Sequence, residues 1–417
     1  MMRITKLLFV AVIILSSCKK ETKTQYDVTF SPSELDYGSM ELGQSKTETI
    51  TVTNGDGSSG TYVGILEVMD TPGYTIEGEN NISLDKGASQ EVKLTFKPTA
   101  LQTYQGRFTV IDESRELDFF YEMPIKGTGV GPVRFSTNET ILSFGLVRDD
   151  SPKTMDLAIH NSPTSGFPLN ITISKTTGDF FIADNQTDYI IDIGSSLTLK
   201  VIYSPVSLVS NGSLEFTHNS SVNSSPTTIY LKGVMDKTDD INSSISSGWT
   251  KFETGNYSGG MDDFQNVMTF VTISSLYDSL HSKVLVGRGW SYAFMRNYNE
   301  GYDDLLKVYN DYAGHTTSQA MFDIYAGLAV IGNLSGFYSD VITYASALLT
   351  GDADYVFSHK TTIDHKDIRM TRVQAYYNIG DFVKAAGDMD VLDSANAPHS
   401  SDPTTLLSAI QALSGSL

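Results

Sequence analysis

The sequence is short of cysteine, of positive charge and, over its last third, of proline. A single cysteine, Cys18, excludes an internal disulfide, so stability has to come from packed cores. Lys and Arg number 29 against 49 Asp and Glu, a formal charge of −20. Such a chain repels phosphate backbones and anionic head groups, which argues against nucleic acid as a partner. The apolar run Leu7–Leu15 falls well short of the roughly 20 residues that a membrane-spanning helix needs. From Trp249 to Ser394 there is no proline, which suits helices and is unusual for β structure. What is present is enough hydrophobic residue, 40%, to build packed domains, and a length of 417 residues that allows about three of them.

The N-terminus has a basic start, Arg3 and Lys6, then the apolar run, then Leu15-Ser16-Ser17-Cys18. That order is a secretory signal. With its cysteine at the cut site it resembles the lipobox of bacterial lipoproteins. The resemblance implies a signal peptide over 1–17, cleavage before Cys18, acylation of Cys18 and a mature chain that starts as a lipid anchor. Losing Arg3 and Lys6 takes the charge to 27 − 49 = −22, so membrane attachment must come from the lipid. Each buried methylene contributes about 0.8 kcal/mol, and several chains hold firmly. Residues 18–26 are polar and patternless, a tether. Lys19 follows the cysteine instead of an acidic residue, which by the same resemblance favours the outer membrane and leaves the leaflet open.

From Tyr26 the texture alternates. Ile50 and Val52 interleave with threonines, and Val92, Leu94 and Phe96 alternate with polar residues, as antiparallel sandwich strands do. Landmarks then recur at a fixed distance. Gly38 returns as Gly145, Asn54 as Asn161, Gly87 as Gly194 and Pro98 as Pro205, each 107 positions on, while Gly127 returns as Gly233 after 106. Two copies of one β-domain follow, over 27–131 and 132–235. The run Leu84-Asp85-Lys86-Gly87, the strand Val92–Lys97 ending at Pro98, then Tyr104-Gln105-Gly106 and the closing Ile125–Val130 resemble the Hydin-type (ASH) immunoglobulin-like domain. The resemblance implies a rigid spacer or docking module. The second copy departs from it, with Ser204 before Pro205 where Lys97 precedes Pro98.

Residues 236–247 are polar and Ser-rich and read as a linker. Beyond them, 248–417 carries a weak repeat: Trp249 to Tyr257 and Trp290 to Tyr298 span the same distance 41 positions apart, with fainter copies at Leu328–Leu334 and Ala375–Phe382. These turns between helical patterns resemble the tetratricopeptide repeat, with Gly260, Gly301, Phe337 and Ala385 at its small-residue position. Phe337 and the spacings of 41, 36 and 48 depart from the family's pattern. The expected fold is therefore multidomain, two all-β immunoglobulin-like sandwiches followed by an all-α helical-hairpin solenoid. Stacked hairpins leave a groove lined by their first helices. Tyr292, Tyr325 and Tyr376 are the candidates to line it, against the alternative of packing between helices.

Signatures of chemistry are weak. Gly127–Gly131 leads into an expected strand at Val133–Phe135, not into the helix that a phosphate loop requires. Gly289-Trp290-Ser291-Tyr292-Ala293 lacks the last glycine of a nucleophile elbow. His359, Asp364, His365 and Asp367 have the wrong spacing for a zinc helix and read as polar loop residues before a helix. Asn54, Asp56 and Ser58 begin like a calcium loop, but position twelve is Ile65. No enzyme activity, cofactor or metal is expected. The expectation is an outer-membrane-anchored lipoprotein that holds a protein or peptide partner; the alternative is a glycan-capturing accessory lipoprotein that uses Trp249, Trp290 and the tyrosines as stacking platforms.

Overall fold

The computed structural model describes residues 25–113 and 120–414. The signal peptide, most of the tether and Cys18 lie outside the described residues.

Each β-domain is two sheets face to face. In the first, one sheet is ordered β1 (Val28–Ser31), β3 (Lys46–Asn54), β7 (Ser89–Phe96), β5 (Tyr74–Glu77). The other is β2 (Leu35–Glu41), β9 (Phe120–Val130), β8 (Thr103–Asp112), β4 (Tyr62–Met69), β6 (Asn81–Leu84). The second domain repeats this as β10 (Ser136–Thr137), β12 (Lys153–His160), β16 (Ser196–Tyr203), β14 (Phe180–Ile182) against β11 (Ile141–Val147), β18 (Thr227–Met235), β17 (Val209–His218), β13 (Leu169–Thr176), β15 (Asp188–Ile191). The alternating residues point inward as their period requires: Ile50, Val52, Leu94, Phe96 and Phe108 are fully buried. Each domain has one parallel pair, β2 with β9 and β11 with β18, where alternation alone suggests antiparallel pairing throughout. The strand expected at Val133–Phe135 is paired only at Ser136–Thr137.

The landmark residues repeat because each has a structural duty. Asn54 and Asn161 are buried, and each amide bridges two loop carbonyls: Asn54 Nδ2 donates to Gly60 O and Leu84 O, both 2.9 Å, and Asn161 Nδ2 donates to Phe167 O at 3.1 Å and Ile191 O at 3.0 Å. Between the domains, Gly131 N–H donates to Thr164 O and Gly166 N–H returns to Gly131 O, both 3.0 Å. A Cβ at Gly131 would lie 2.1 Å from Thr164 O, so the glycine run ends where two backbones meet.

The span read as a linker is helix. After Met235 the chain runs into α1 (Thr238–Glu253), whose Ile241 and Phe252 are buried. Ser243 and Ser246 are exposed, while Ile241, Ile245, Gly248 and Trp249 fall on one helical face, and Asp239 and Asp240 sit at the positive N-terminal end. No break separates α1 from the β-domain. Val234 and Leu146 share a cluster with Ile241, Phe264 and Tyr277, and the Tyr277 hydroxyl donates to Met235 O and accepts from Lys237 N–H, both 2.7 Å.

The helices form four hairpins: α1 with α2 (Tyr257–Asn266), then, past the short α3 (Met268–Val271), α4 (Asp278–Phe294) with α5 (Tyr298–Asp311), α6 (Ser318–Ser335) with α7 (Tyr338–Gly351), and α8 (His365–Asn378) with α9 (Phe382–Leu392). A terminal helix, α10 (Pro403–Ser414), covers the end with Leu406 and Ile410. All four turns are alike. A left-handed residue (Gly255, Arg296, Gly336 or Gly380) ends the first helix, and the next amide reaches back five positions, as in Asn256 N–H to Lys251 O and Asp381 N–H to Tyr376 O, both 2.9 Å.

The third turn is Gly336-Phe337-Tyr338, one helical turn beyond the Gly332-Asn333-Leu334 expected. The second helices therefore start at Tyr257, Tyr298, Tyr338 and Phe382, and the spacings become 298 − 257 = 41, 338 − 298 = 40 and 382 − 338 = 44. The small-residue position in the third hairpin is then Val341, not Phe337. The first two hairpins approach closely at Gly248/Gly260 and Gly289/Gly301, where a Cβ at Gly260 or Gly301 would come 2.8 Å from the facing glycine carbonyl; Ala329/Val341 and Val373/Ala385 are the equivalent positions of the other two.

Because the two asparagines hold equivalent loops in separate sandwiches, Asn54→Ala and Asn161→Ala should each cost about 2 kcal/mol. Their effects in the double variant should add to within about 0.5 kcal/mol. Chemical denaturation of the three variants checks this; strong coupling between them would contradict two independent cores.

Candidate functional site: the first-helix face of the hairpins

The first helices α1, α4 and α6 present a common face, and the segment between α7 and α8 folds across it. That segment, residues 352–364, closes on itself through a Val356–Asp364 bridge, with Phe357 N–H donating to Ile363 O at 3.0 Å. Tyr355 and Phe357 point inward and are fully buried. Phe357 stacks on Trp290 with centroids 4.4 Å apart, and the Tyr355 hydroxyl donates to Asp323 Oδ1 at 2.9 Å. Further along, His359 lies flat on Trp249, 3.7 Å between centroids and 3° between planes, and its Nδ1 is 2.8 Å from Glu253 Oε1. The segment is a strap that ties the fourth hairpin back to the first.

Beside the strap an opening of about 300 Å³ remains. Its walls are Ile245 and Trp249 from α1, Ser279, Ser282, Lys283 and Val286 from α4, Ala320 and Asp323 from α6, His315 to Thr317 before α6, and His359 from the strap. Asp323 is 9% exposed and is the only charged residue of α6. Its carboxylate accepts from Tyr355, and its backbone oxygen accepts from Trp290 Nε1 at 3.2 Å. No lysine, arginine or histidine nitrogen lies within ion-pair distance of it among the described residues. Burial without a cation pushes its pKa up to about 6. Lys283 and His315 are exposed at the rim, where His315 Nε2 is 3.7 Å from Asp278.

The structure does not gather the three tyrosines into this opening. Tyr292 and Tyr376 occupy equivalent places, 376 − 292 = 84, and half-buried they cover matched ion pairs. Arg288 grips Asp304 through two bonds of 2.7 Å beneath Tyr292, and Arg372 grips Asp388 at 2.7 and 2.6 Å beneath Tyr376. The first hairpin places Ser247 and Asp263 at the same positions, 2.6 Å apart, and the third puts Leu328 and Tyr344 there. Tyr325 packs with Tyr309 and Tyr344 of the second helices, on the far side of α6 from the opening. The reason is geometric: a tyrosine at a helix-crossing position is drawn into the ring and guanidinium contacts that fill the space between hairpins.

Other motifs also resolve into structure. Asp364 caps α8 in a reciprocal box with Asp367. Ser291 donates to Gly287 O within α4, at 2.8 Å. Trp290 is fully buried, and His359 covers one face of Trp249, so neither indole offers a bare platform. Asp323 was the residue hardest to single out by pattern; a lone acid inside the long uncharged stretch of α6 is the signal that marks it.

Residues 11–119 match the family model of the HYDIN/CFA65/VesB-like, Ig-like domain. The first sandwich is thus similar to a Hydin-type immunoglobulin-like domain; a second sandwich of the same plan and four stacked helical hairpins follow it. No curated protein matches it. Among solved structures, a tetratricopeptide repeat protein from Parabacteroides merdae shares 13% identity over 43% of this chain and 61% of its own, with a TM-score of 0.30. The ASH/PapD-like domain 7 of human CEP192 shares 12% identity over 30% of this chain and 99% of its own, TM-score 0.22. A protein of unknown function from Porphyromonas gingivalis W83 shares 14% over 50% and 99%, TM-score 0.21.

Asp323 is more basic folded than unfolded, so its contribution to stability is present below pH 4 and lost as pH rises through about 6. Asp323→Asn should therefore stabilise the helical part by about 1–3 kcal/mol at pH 8 and change little at pH 4. Denaturant unfolding followed by the helical far-UV signal checks this; equal effects at the two pH values would show that the carboxylate is solvated.

Proposed function

We propose that this chain is a membrane-anchored, non-enzymatic lipoprotein whose helical hairpins hold a protein or peptide partner in an envelope or surface assembly. The lipid on Cys18 attaches it, by the lipobox resemblance, to the outer membrane. The two sandwiches then act as a stiff arm. The observation that carries the reading is the first-helix face itself: repeated hairpins bring α1, α4 and α6 side by side and leave a polar-rimmed opening there. Sandwich and helical-hairpin modules are common vehicles of protein–protein contact, which supports a scaffold over a catalyst. The strap narrows the reading. With Tyr355 and Phe357 filling the middle of the face, a partner meets a local opening and not a continuous groove. For the glycan-capturing alternative, the buried Trp290 offers no platform, Trp249 offers only the part of its ring that lines the opening, and the half-buried tyrosines remain.

Two measurements test this. Cys18→Ala should move the protein from the membrane to the soluble fraction, and protease shaving of intact cells should report which side it faces. A photo-crosslinking residue at Lys283 should give partner adducts in cells, while one at Lys86 in the first sandwich should not. Adducts only at Lys86 would move the binding role to the β-domains.

A further inference from the structure

Resting on that scaffold reading, we propose that the opening beside the strap is a pocket for the cationic side chain of a partner segment, a lysine or arginine whose head group pairs with Asp323. The form of the pocket carries the inference. Ile245, Val286 and Ala320 offer apolar wall to a methylene stem, and Trp249 adds an aromatic edge. At about 300 Å³ the opening fits one long side chain and not a folded element. Asp323 is the most buried titratable group of the lining, and one of its oxygens is fixed by Tyr355. The serine and threonine hydroxyls around it accept N–H bonds from an ammonium or guanidinium.

A carboxylate buried without a cation is costly, and a pair completed by a ligand removes that cost. The hydrogen bonds that Asp323 makes do not need its charge: the Tyr355 hydroxyl and the Gln319 side chain would also be served by an asparagine oxygen, and the Trp290 indole bonds the backbone alone. An expensive group kept at a cavity wall is the mark of a site. The charge of the whole chain, −20, draws cationic partners and repels acidic ones. Lys283, His315 and His359 face the same space, and the Lys283 ammonium opposes a cation. His315 and His359 are offset by Asp278 and Glu253, whereas Lys283 has no ion pair among the described residues. Lys283 is thus the rim charge that repels an incoming cation.

The test titrates the full mature chain with two capped tripeptides, acetyl-Gly-Lys-Gly-amide and acetyl-Gly-Glu-Gly-amide, with ligand-observed NMR as readout at pH 8. The lysine peptide should saturate the protein and the glutamate peptide should not. Asp323→Asn should weaken the lysine peptide by at least about tenfold, and Lys283→Ala should strengthen it by roughly twofold or more. Because Asp323→Asn is expected to stabilise the fold at this pH, misfolding does not explain a loss. Binding of the lysine peptide that survives Asp323→Asn, preference for the glutamate peptide, or saturation by a neutral oligosaccharide instead would overturn the proposal. If partner adducts at Lys283 persist in cells while Asp323→Asn leaves them unchanged, the scaffold reading stands and the cation pocket falls.

Discussion

A helical hairpin cannot bury its apolar faces alone, and the covers at both ends and across the first-helix face answer that constraint. At one end the second sandwich supplies the cover, with Val234 and Leu146 packed against α1 and its neighbours. At the other end α10 lays Leu406 and Ile410 over the last hairpin. Across the first-helix face the strap provides Tyr355 and Phe357. Between hairpins, rings and bidentate arginine–aspartate pairs fill the gaps. In these pairs Arg288 and Arg372 are turned inward and neutralised by Asp304 and Asp388, so the pairs fill the gaps without leaving a buried charge unmatched.

Much of this was legible in the sequence where a residue answers to a local rule. The 107-residue register is visible because Gly38, Gly87, Gly145 and Gly194 all need a left-handed backbone, and because Asn54 and Asn161 each bridge two carbonyls that no other side chain would reach. The first and fourth helical turns are legible for the same reason, at Gly255 and Gly380, and the second by its Asn297-Tyr298, which matches Asn256-Tyr257. The third could not, because Gly332-Asn333-Leu334 imitates the Gly-Asn-aromatic turn more closely than the true Gly336-Phe337-Tyr338 does. The supposed linker was misread because serine-rich composition outweighed the spacing of Ile241, Ile245 and Trp249, which only a packing partner makes decisive.

What composition and periodicity could not reveal is long-range. His359 meets Glu253 across 106 positions, and Tyr355 meets Asp323 across 32. No motif records such contacts, because neither partner constrains its own neighbourhood. The same blindness left two places open for the tyrosines, the groove and the packing between helices. Their spacing marks a shared helical face, but whether a ring on that face sees solvent or an arginine depends on the adjoining hairpin.

The unbroken passage from β18 into α1 has a mechanical consequence. With Tyr277 tied to backbone on both sides of the junction, the opening keeps one distance and one bearing from the second sandwich. A flexible tether would let a bound segment sample many orientations at a middling effective concentration. A fixed arm makes the choice sharper: a second contact made by the same partner lies either within reach, and is strongly favoured, or out of reach altogether. Selectivity among partners would then depend on their geometry as well as on the chemistry of the pocket.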